Sequence, residues 1–304
     1  MTVTVIIPTY KPDKKFRSLI EMLTRQTRKA DRVVIMNTEE RFWKDSFMDG
    51  LENWEVHHLS CAEFDHGKTR GEGAKKTDSD ILLYFTQDAV PADEKVLENL
   101  LRPFENSKVG AAYARQLPAE DCRLAEQYTR SFNYPDKSRI KTKEDIPVLG
   151  IKAYFCSNVC AAYRRSIYEE MGGFISRTIF NEDMIMAAKM VQAGYAVAYA
   201  AEAKVVHSHN YGYVQQFRRN FDLAVSQAEH PEIFAAVSSE SEGIRLVKST
   251  AAFLMKQGKP WLIPDLIISS GFKYLGYKMG RKYKRLPHSW IRHLTMNQAY
   301  WEKE

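Results

Sequence analysis

The stretch 82-LLYFTQDAVP-91 decides how the rest of the chain is read. Its apolar half, with Ile81 before it, is a short run of the kind that forms a strand buried on both faces. The run stops at Thr86, Gln87 and Asp88 and leaves through Pro91. In an open parallel sheet, ligands sit beyond the carboxyl ends of the strands. A single carboxylate there can meet a Mg²⁺ or Mn²⁺ ion otherwise held by phosphate and water. Asp88 can equally close a turn before Pro91 or cap a helix starting near Asp93. Local sequence leaves the two readings open.

Upstream, the β-branched run Val3 to Pro8 reads as a buried strand, followed by a turn at Lys11-Pro12-Asp13. Phe16, Leu19, Ile20 and Leu23 fall at i, i+3, i+4 and i+7, the stripe of a helix packed on a sheet. Arg32 to Met36 is a second strand, ending at Asn37-Thr38, and Trp54 to Leu59 a third. After a loop at Phe64 to Gly67, Thr69 to Lys76 reads as a helix despite its glycines, and Ile81 to Phe85 follows as a strand. This alternation predicts an α/β fold, a Rossmann-like, mostly parallel sheet flanked by helices. Pro8, Thr9, Tyr10, Asn37, Thr38 and the Thr86–Asp88 cluster should then open onto one crevice.

Downstream, Asn181-Glu182-Asp183 precedes a helical apolar pattern from Met184 to Val191 that stops at Gly194. One acid suffices to cap a helix, and two adjacent ones repel unless they do separate jobs. A carboxylate beside a second one, partly desolvated, has its pKa raised toward the range of a general base. Ala196 to Ala200 and Lys204 to His207 read as two strands, the second ending in His207-Ser208-His209. By itself, a histidine at a strand end such as His207 is more often a structural or surface residue than a ligand.

Composition bounds the rest. The 304 residues are 44% apolar and 27% charged, enough for a large α/β domain with an appendage. The four cysteines (Cys61, Cys122, Cys156, Cys160) contain no CxxC pair and read as reduced thiols rather than a zinc site. The opening residues lack a basic, apolar leader, and no apolar run is long enough to span a bilayer, so a cytoplasmic protein is expected. Between Met255 and His293, nine lysines and arginines face the single acid Asp265, a net of +8 in a chain whose total is +6. Basicity is therefore a property of the tail.

Several of these stretches together carry a family resemblance. VTVIIPTYKP from residue 3, FDHGKTRGEGA at 64 to 74, YFTQDAVP at 84 to 91, EEMGGF at 169 to 174, NEDM at 181 to 184 and VVHSH at 205 to 209 resemble, in order and spacing, the family 2 nucleotide-sugar glycosyltransferases. TQDA and the FxHGxTR-like loop are most similar to the bacterial rhamnosyltransferases of surface polysaccharide assembly. The resemblance implies a GT-A fold, an inverting mechanism and a Mg²⁺ or Mn²⁺ cofactor. It implies a nucleotide-sugar donor, with dTDP-rhamnose as the first choice, and a glycan or lipid-linked acceptor. Carried over, Asp88 is the last acid of the DxD motif and a metal ligand, His207 completes the metal site, Asp183 is the base and Glu182 its neighbour. Pro8, Thr9, Tyr10, Asn37, Thr38, Arg70, Thr86 and Gln87 join Asp88 in the nucleotide-sugar site. Thr86 stands where the motif has its first Asp, and Asn37-Thr38 where an acidic pair is usual. The missing carboxylate keeps one alternative open, a catalytically impaired nucleotide-sugar-binding partner of an assembly complex. A nucleotidyltransferase would show a Gly-rich basic signature near its start, which PTYKPDKK is not.

The expected organisation is a catalytic domain over 1–215, with a nucleotide-binding half to about 115 and an acceptor half beyond, then a helical basic extension over 216–304. In that extension Trp261, Ile263, Leu266, Ile267, Phe272, Tyr274 and Leu275 interleave with the basic residues. The apolar content is too high for a solvated phosphate-binding stripe, so no nucleic-acid partner is expected. A peripheral contact with the inner face of the plasma membrane through 255–293 fits, as does packing of these helices on the catalytic domain or in a homo-oligomer.

Overall fold

The computed structural model describes residues 1–235 and 240–302; positions 236–239 and 303–304 of the expected extension lie outside the described residues. The chain divides into two compact units, one of Met1–Leu117, Tyr134–Arg177 and Glu182–His207, the other of Pro118–Asn133, Thr178–Asn181 and Ser208–Glu304.

The first unit is built on a nine-stranded mixed sheet. Strand β1 (Val3–Tyr10) pairs in parallel with β2 (Arg32–Thr38) and with β4 (Ile81–Phe85), and β2 pairs in parallel with β3 (Trp54–Leu59). Helix α1 (Lys14–Arg25) starts where Asp13 accepts hydrogen bonds from the N–H groups of Lys15 and Phe16, and it buries Phe16, Leu19, Ile20 and Leu23. Helix α2 (His66–Ala74) begins three residues before the sequence suggests, because Asp65 caps it by accepting from the Lys68 N–H at 2.7 Å. Its glycines have a packing reason. A Cβ on Gly67 would stand 1.8 Å from the Ile175 carbonyl oxygen, and one on Gly73 2.6 Å from Ile6.

Past β4 come the two-residue strand β5 (Val90–Pro91), helix α3 (Val96–Leu101) and β6 (Val109–Leu117). After α4 (Leu124–Asn133), which belongs to the other unit, follow β7 (Arg139–Lys141), the short α5 (Ile146–Leu149), β8 (Cys160–Arg164), α6 (Arg165–Glu170), α7 (Glu182–Gln192) and β9 (Ala196–Val206). The two runs read as separate strands are this one strand. It keeps pairing with β6 across a register shift that leaves Ala201, Glu202 and Ala203 outside the match, a bulge.

The sheet departs from parallel at β8, which lies antiparallel between β4 and β6. Antiparallel neighbours need no crossover. The excursion from the end of β6 to the start of β8 therefore begins and finishes at the carboxyl end of the parallel strands. Phe85, the last residue of β4, faces Cys160, the first of β8. β5 and β7 also run antiparallel, both against β9.

The second unit is helical among its described residues: α4, α8 (Tyr213–Glu229), α9 (Pro231–Phe234), α10 (Glu240–Lys256), α11 (Ile263–Gly280), α12 (His288–Leu294) and α13 (Gln298–Trp301). α11 packs closely on α8. A Cβ on Gly276 would lie 2.2 Å from the Phe217 carbonyl oxygen and one on Gly280 2.3 Å from that of Phe221. Phe221, Val225, Ile291 and Trp301 form its core, and Asp222 accepts hydrogen bonds from the Thr295 hydroxyl at 2.6 Å and the Met296 N–H at 2.8 Å.

Candidate active site

Strand β5 explains why Asp88 meets His207. Immediately past Asp88 and Ala89 the chain joins the edge of β9, with Val90 opposite Val206. His207, continuing β9, donates its backbone N–H to the Leu117 carbonyl at 3.0 Å. An Asp88 carboxylate oxygen and His207 Nε2 thus face each other 3.6 Å apart. That is long for a hydrogen bond and somewhat wider than the roughly 3 Å between neighbouring ligands of an octahedral ion with bonds of about 2.1 Å, within reach of one shared ion. The other ring nitrogen, Nδ1, lies 3.1 Å from Gln116 Oε1. The Gln116 amide nitrogen donates to the Tyr134 hydroxyl at 2.6 Å and to Ser157 Oγ at 3.0 Å, so its oxygen is left to accept from Nδ1–H. The Nε2 lone pair then points toward Asp88, the tautomer a metal-binding histidine requires. The residues therefore fit a hard divalent ion, through one carboxylate and one imidazole.

Glu182 and Asp183 open α7 and have separated their tasks. Glu182 is buried and ion-pairs with Arg70 Nη1 at 3.1 Å. Burial raises its pKa, but Arg70, then His66 and a hydrogen bond from the Asn158 side chain at 3.2 Å together hold it below the usual value. Asp183 keeps an exposed edge and, among the described residues, accepts from two backbone donors, the Asn158 N–H at 3.0 Å and the Met184 N–H at 2.8 Å. Desolvation, followed by the negative charge of Glu182, pushes Asp183 up to about 7. Arg70, expected in the nucleotide-sugar site, is buried beside this pair, with Nη1 also donating to the His66 carbonyl at 3.0 Å.

Three consecutive residues tie the two groups together, and sequence reasoning missed all three. Ser157 receives the Gln116 amide that orients His207, Asn158 holds both Glu182 and Asp183, and the Val159 carbonyl accepts the Thr86 N–H at 3.1 Å. The Asn158 side-chain oxygen is fixed in turn by the Tyr163 hydroxyl at 2.8 Å. This strap precedes β8, so it crosses the carboxyl ends of the parallel strands because β8 is reversed.

At the neighbouring strand ends, Thr9 donates to Asn37 Oδ1 at 3.0 Å, and the Asn37 amide nitrogen lies 3.0 Å from His58 Nδ1. Pro8, Thr9 and Tyr10 stand beside Met36, Asn37 and Thr38 in register. Gln87 spends its amide on the backbone of Tyr10, accepting from N–H at 2.8 Å and donating to C=O at 2.9 Å, and so joins the ends of β1 and β4. The Tyr10 ring is exposed, edge-on to Phe42, with the Lys11 ammonium over both rings. Among the described residues, the buried hydroxyl oxygens of Thr38 and Thr86 find no hydrogen-bond partner. Buried polar atoms are rarely left so.

The glycosyl transferase family 2 model matches residues 4–172. The chain belongs to glycosyltransferase family 2. Over 303 residues, 99% of this chain and 96% of the relative, it is 40% identical to the O-antigen chain rhamnosyltransferase RfbN of Salmonella typhimurium. It is 39% identical to the O-antigen chain rhamnosyltransferase WbaN of Salmonella anatum over 98% and 95% of the two chains. The fold is that of GT-A glycosyltransferases. The mannosyltransferase PcManGT of Pyrobaculum calidifontis, solved with GDP-Man and Mn²⁺, superposes with a TM-score of 0.58 at 16% identity, covering 99% of this chain and 84% of that one. TarS of S. aureus with UDP-GlcNAc gives 0.53 at 13% identity, covering 94% and 92%. The signal in this glycosyltransferase that points to the missed strap is Ser157-Asn158, polar residues placed directly before the buried run of β8. Gln116, inside a buried strand, offers a weaker signal of the same kind.

Proposed function

We propose that this glycosyltransferase transfers rhamnose from a nucleoside diphosphate donor, dTDP-rhamnose, to a hydroxyl of a glycan or lipid-linked acceptor in surface polysaccharide synthesis, with inversion at the anomeric carbon. The observation that carries the proposal is the strap at 157–159, which joins the Asp88–His207 pair and the Asp183 carboxylate to one rigid segment. The relatives' shared O-antigen rhamnosyl transfer supports the choice of sugar.

On this reading Asp88 and His207 hold Mg²⁺ or Mn²⁺, which when bound neutralises charge developing on the departing diphosphate. Asp183 takes the proton of the acceptor hydroxyl as that oxygen attacks the anomeric carbon from the face opposite the diphosphate. One displacement at that carbon inverts it, and no covalent enzyme intermediate forms. Glu182, neutralised by Arg70, keeps a fixed negative charge behind Asp183 and so raises its basicity. Thr9, Asn37, Thr38 and the Tyr10 ring receive the nucleoside. The unpartnered Thr38 and Thr86 hydroxyls suit a polar ligand, and Thr86 replaces a carboxylate with a neutral group there.

A panel of nucleotide sugars tests this directly, with transfer to an extracted lipid-linked glycan followed by product analysis. The expected result is transfer from dTDP-rhamnose, abolished by a chelator and restored by Mg²⁺ or Mn²⁺, with dTDP released. Transfer of another sugar removes the donor assignment; release of pyrophosphate removes the reaction class.

A further inference from the structure

Helix α11 has two unlike faces. One is locked onto α8 by Gly276 and Gly280, whose missing side chains allow backbone contact, so the helix cannot roll to hide its other side. That other side carries Ile267, Ile268, Tyr274 and Leu275, with Trp261 just ahead of the helix, each between 47 and 68% exposed. On the helix they fall at i, i+1, i+7 and i+8, one face at the 3.6-residue period, with the exposed Gly271 between the two pairs. Single exposed apolar residues are ordinary, but a contiguous stripe marks a contact surface.

Charge indicates the occupant. Lys256 and Lys259 lie exposed before the helix, and Arg281, Lys282, Lys284 and Arg285 lie exposed beyond it. Asp265, the one acid between Met255 and His293, is engaged by the Tyr213 hydroxyl. An apolar stripe holding Trp and Tyr, with basic residues at both ends and its acid already engaged, is complementary to an anionic bilayer surface. Among the described residues no helix is long and apolar enough to cross a membrane, so the contact is peripheral.

We propose that the exposed face of α11, with its basic flanks, seats the protein on an anionic lipid surface. The proposal deepens the preceding reading, where it brings the enzyme to a lipid-linked acceptor, yet the binding step itself requires neither donor nor turnover.

The test is co-sedimentation of the full chain with vesicles of phosphatidylcholine, alone or with a quarter phosphatidylglycerol, at low and high salt. Binding is expected only to the anionic vesicles and should weaken about ten-fold or more at high salt. Two double variants, Ile268→Glu with Leu275→Glu and Arg281→Glu with Lys282→Glu, should each lower it by about ten-fold or more. All four positions are exposed, and unchanged melting temperatures verify folding. Equal binding by parent and both variants, or no binding by the parent, overturns the proposal. A parent that is dimeric in sedimentation equilibrium, becomes monomeric on Ile268→Glu with Leu275→Glu, and ignores vesicles gives the stripe to a second copy and also overturns it. Vesicle binding as described, with no sugar transferred from any donor, leaves this inference standing while the proposed function falls.

Discussion

Asp183 on the sheet unit and Asp222 on the helical unit meet the same physical problem and answer it differently. Burial drives both upward, Asp183 to about 7 and Asp222 to about 6. Asp222 is 3% exposed and wired to the Thr295 hydroxyl and the Met296 N–H, so its carboxylate joins α8 to the segment between α12 and α13. Asp183 keeps an open edge, takes backbone donors alone among the described residues, and has a second charge behind it in Glu182. A raised carboxylate is thus a sign of desolvation in general. Its exposure and the company it keeps decide whether it serves structure or chemistry.

The largest effect expected from pulling this comparison apart is on Asp183. Asp183→Asn should lower turnover by about 10³-fold while leaving donor affinity within about two-fold, as general-base loss predicts. Steady-state kinetics and calorimetric titration with the nucleotide sugar measure the two; unchanged turnover takes the base role from Asp183. In the proposed role Asp183 must be deprotonated, so kcat/KM of the parent should climb as pH rises through about 7, a limb absent from the variant. Stability runs the other way. Because the folded pKa lies above the unfolded one, the contribution of the bound proton is complete below about 4 and is lost as pH rises through about 7.

Asp222→Ala should show the complementary pattern, a loss of about 2 kcal/mol in urea denaturation from leaving buried donors unpaired, with kcat unchanged. Lost turnover in a folded Asp222→Ala protein would break the division between the two aspartates. The smallest effect tests the network on the sheet side. Gln116→Leu removes the acceptor that fixes the His207 ring, and should weaken Mn²⁺ binding, read by calorimetry, about ten-fold. Undiminished Mn²⁺ affinity would show that Gln116 does not orient a metal ligand.

The early strands were legible in sequence because their apolar runs are local: Val3–Tyr10 and Ile81–Phe85 bury nearly every side chain, and α1 shows its stripe at helical spacing. The polar residues at those strand ends followed from a single topological rule. The strap at 157–159 did not follow. A rule for parallel strands looks after a strand, whereas β8 is reversed and brings forward the residues before it. Arg70 was legible as part of a motif, but its partner Glu182 lies 112 positions away, a pairing that no local pattern encodes. The tail posed a third case. Its composition announced both apolar and basic character, and only the packing of Gly276 and Gly280 against α8 decided which face stayed exposed.

Sequence alone therefore determined the sheet's leading strands, the helix stripes, the family motifs and the residue types at the site, since each depends on neighbours a few positions apart. Tertiary structure decided which of those residues touch. The reversal of β8, the pairing of β5 with β9 and the burial of Glu182 against Arg70 each join segments remote along the chain. The desolvation that tunes Asp183 exists only once those segments have met.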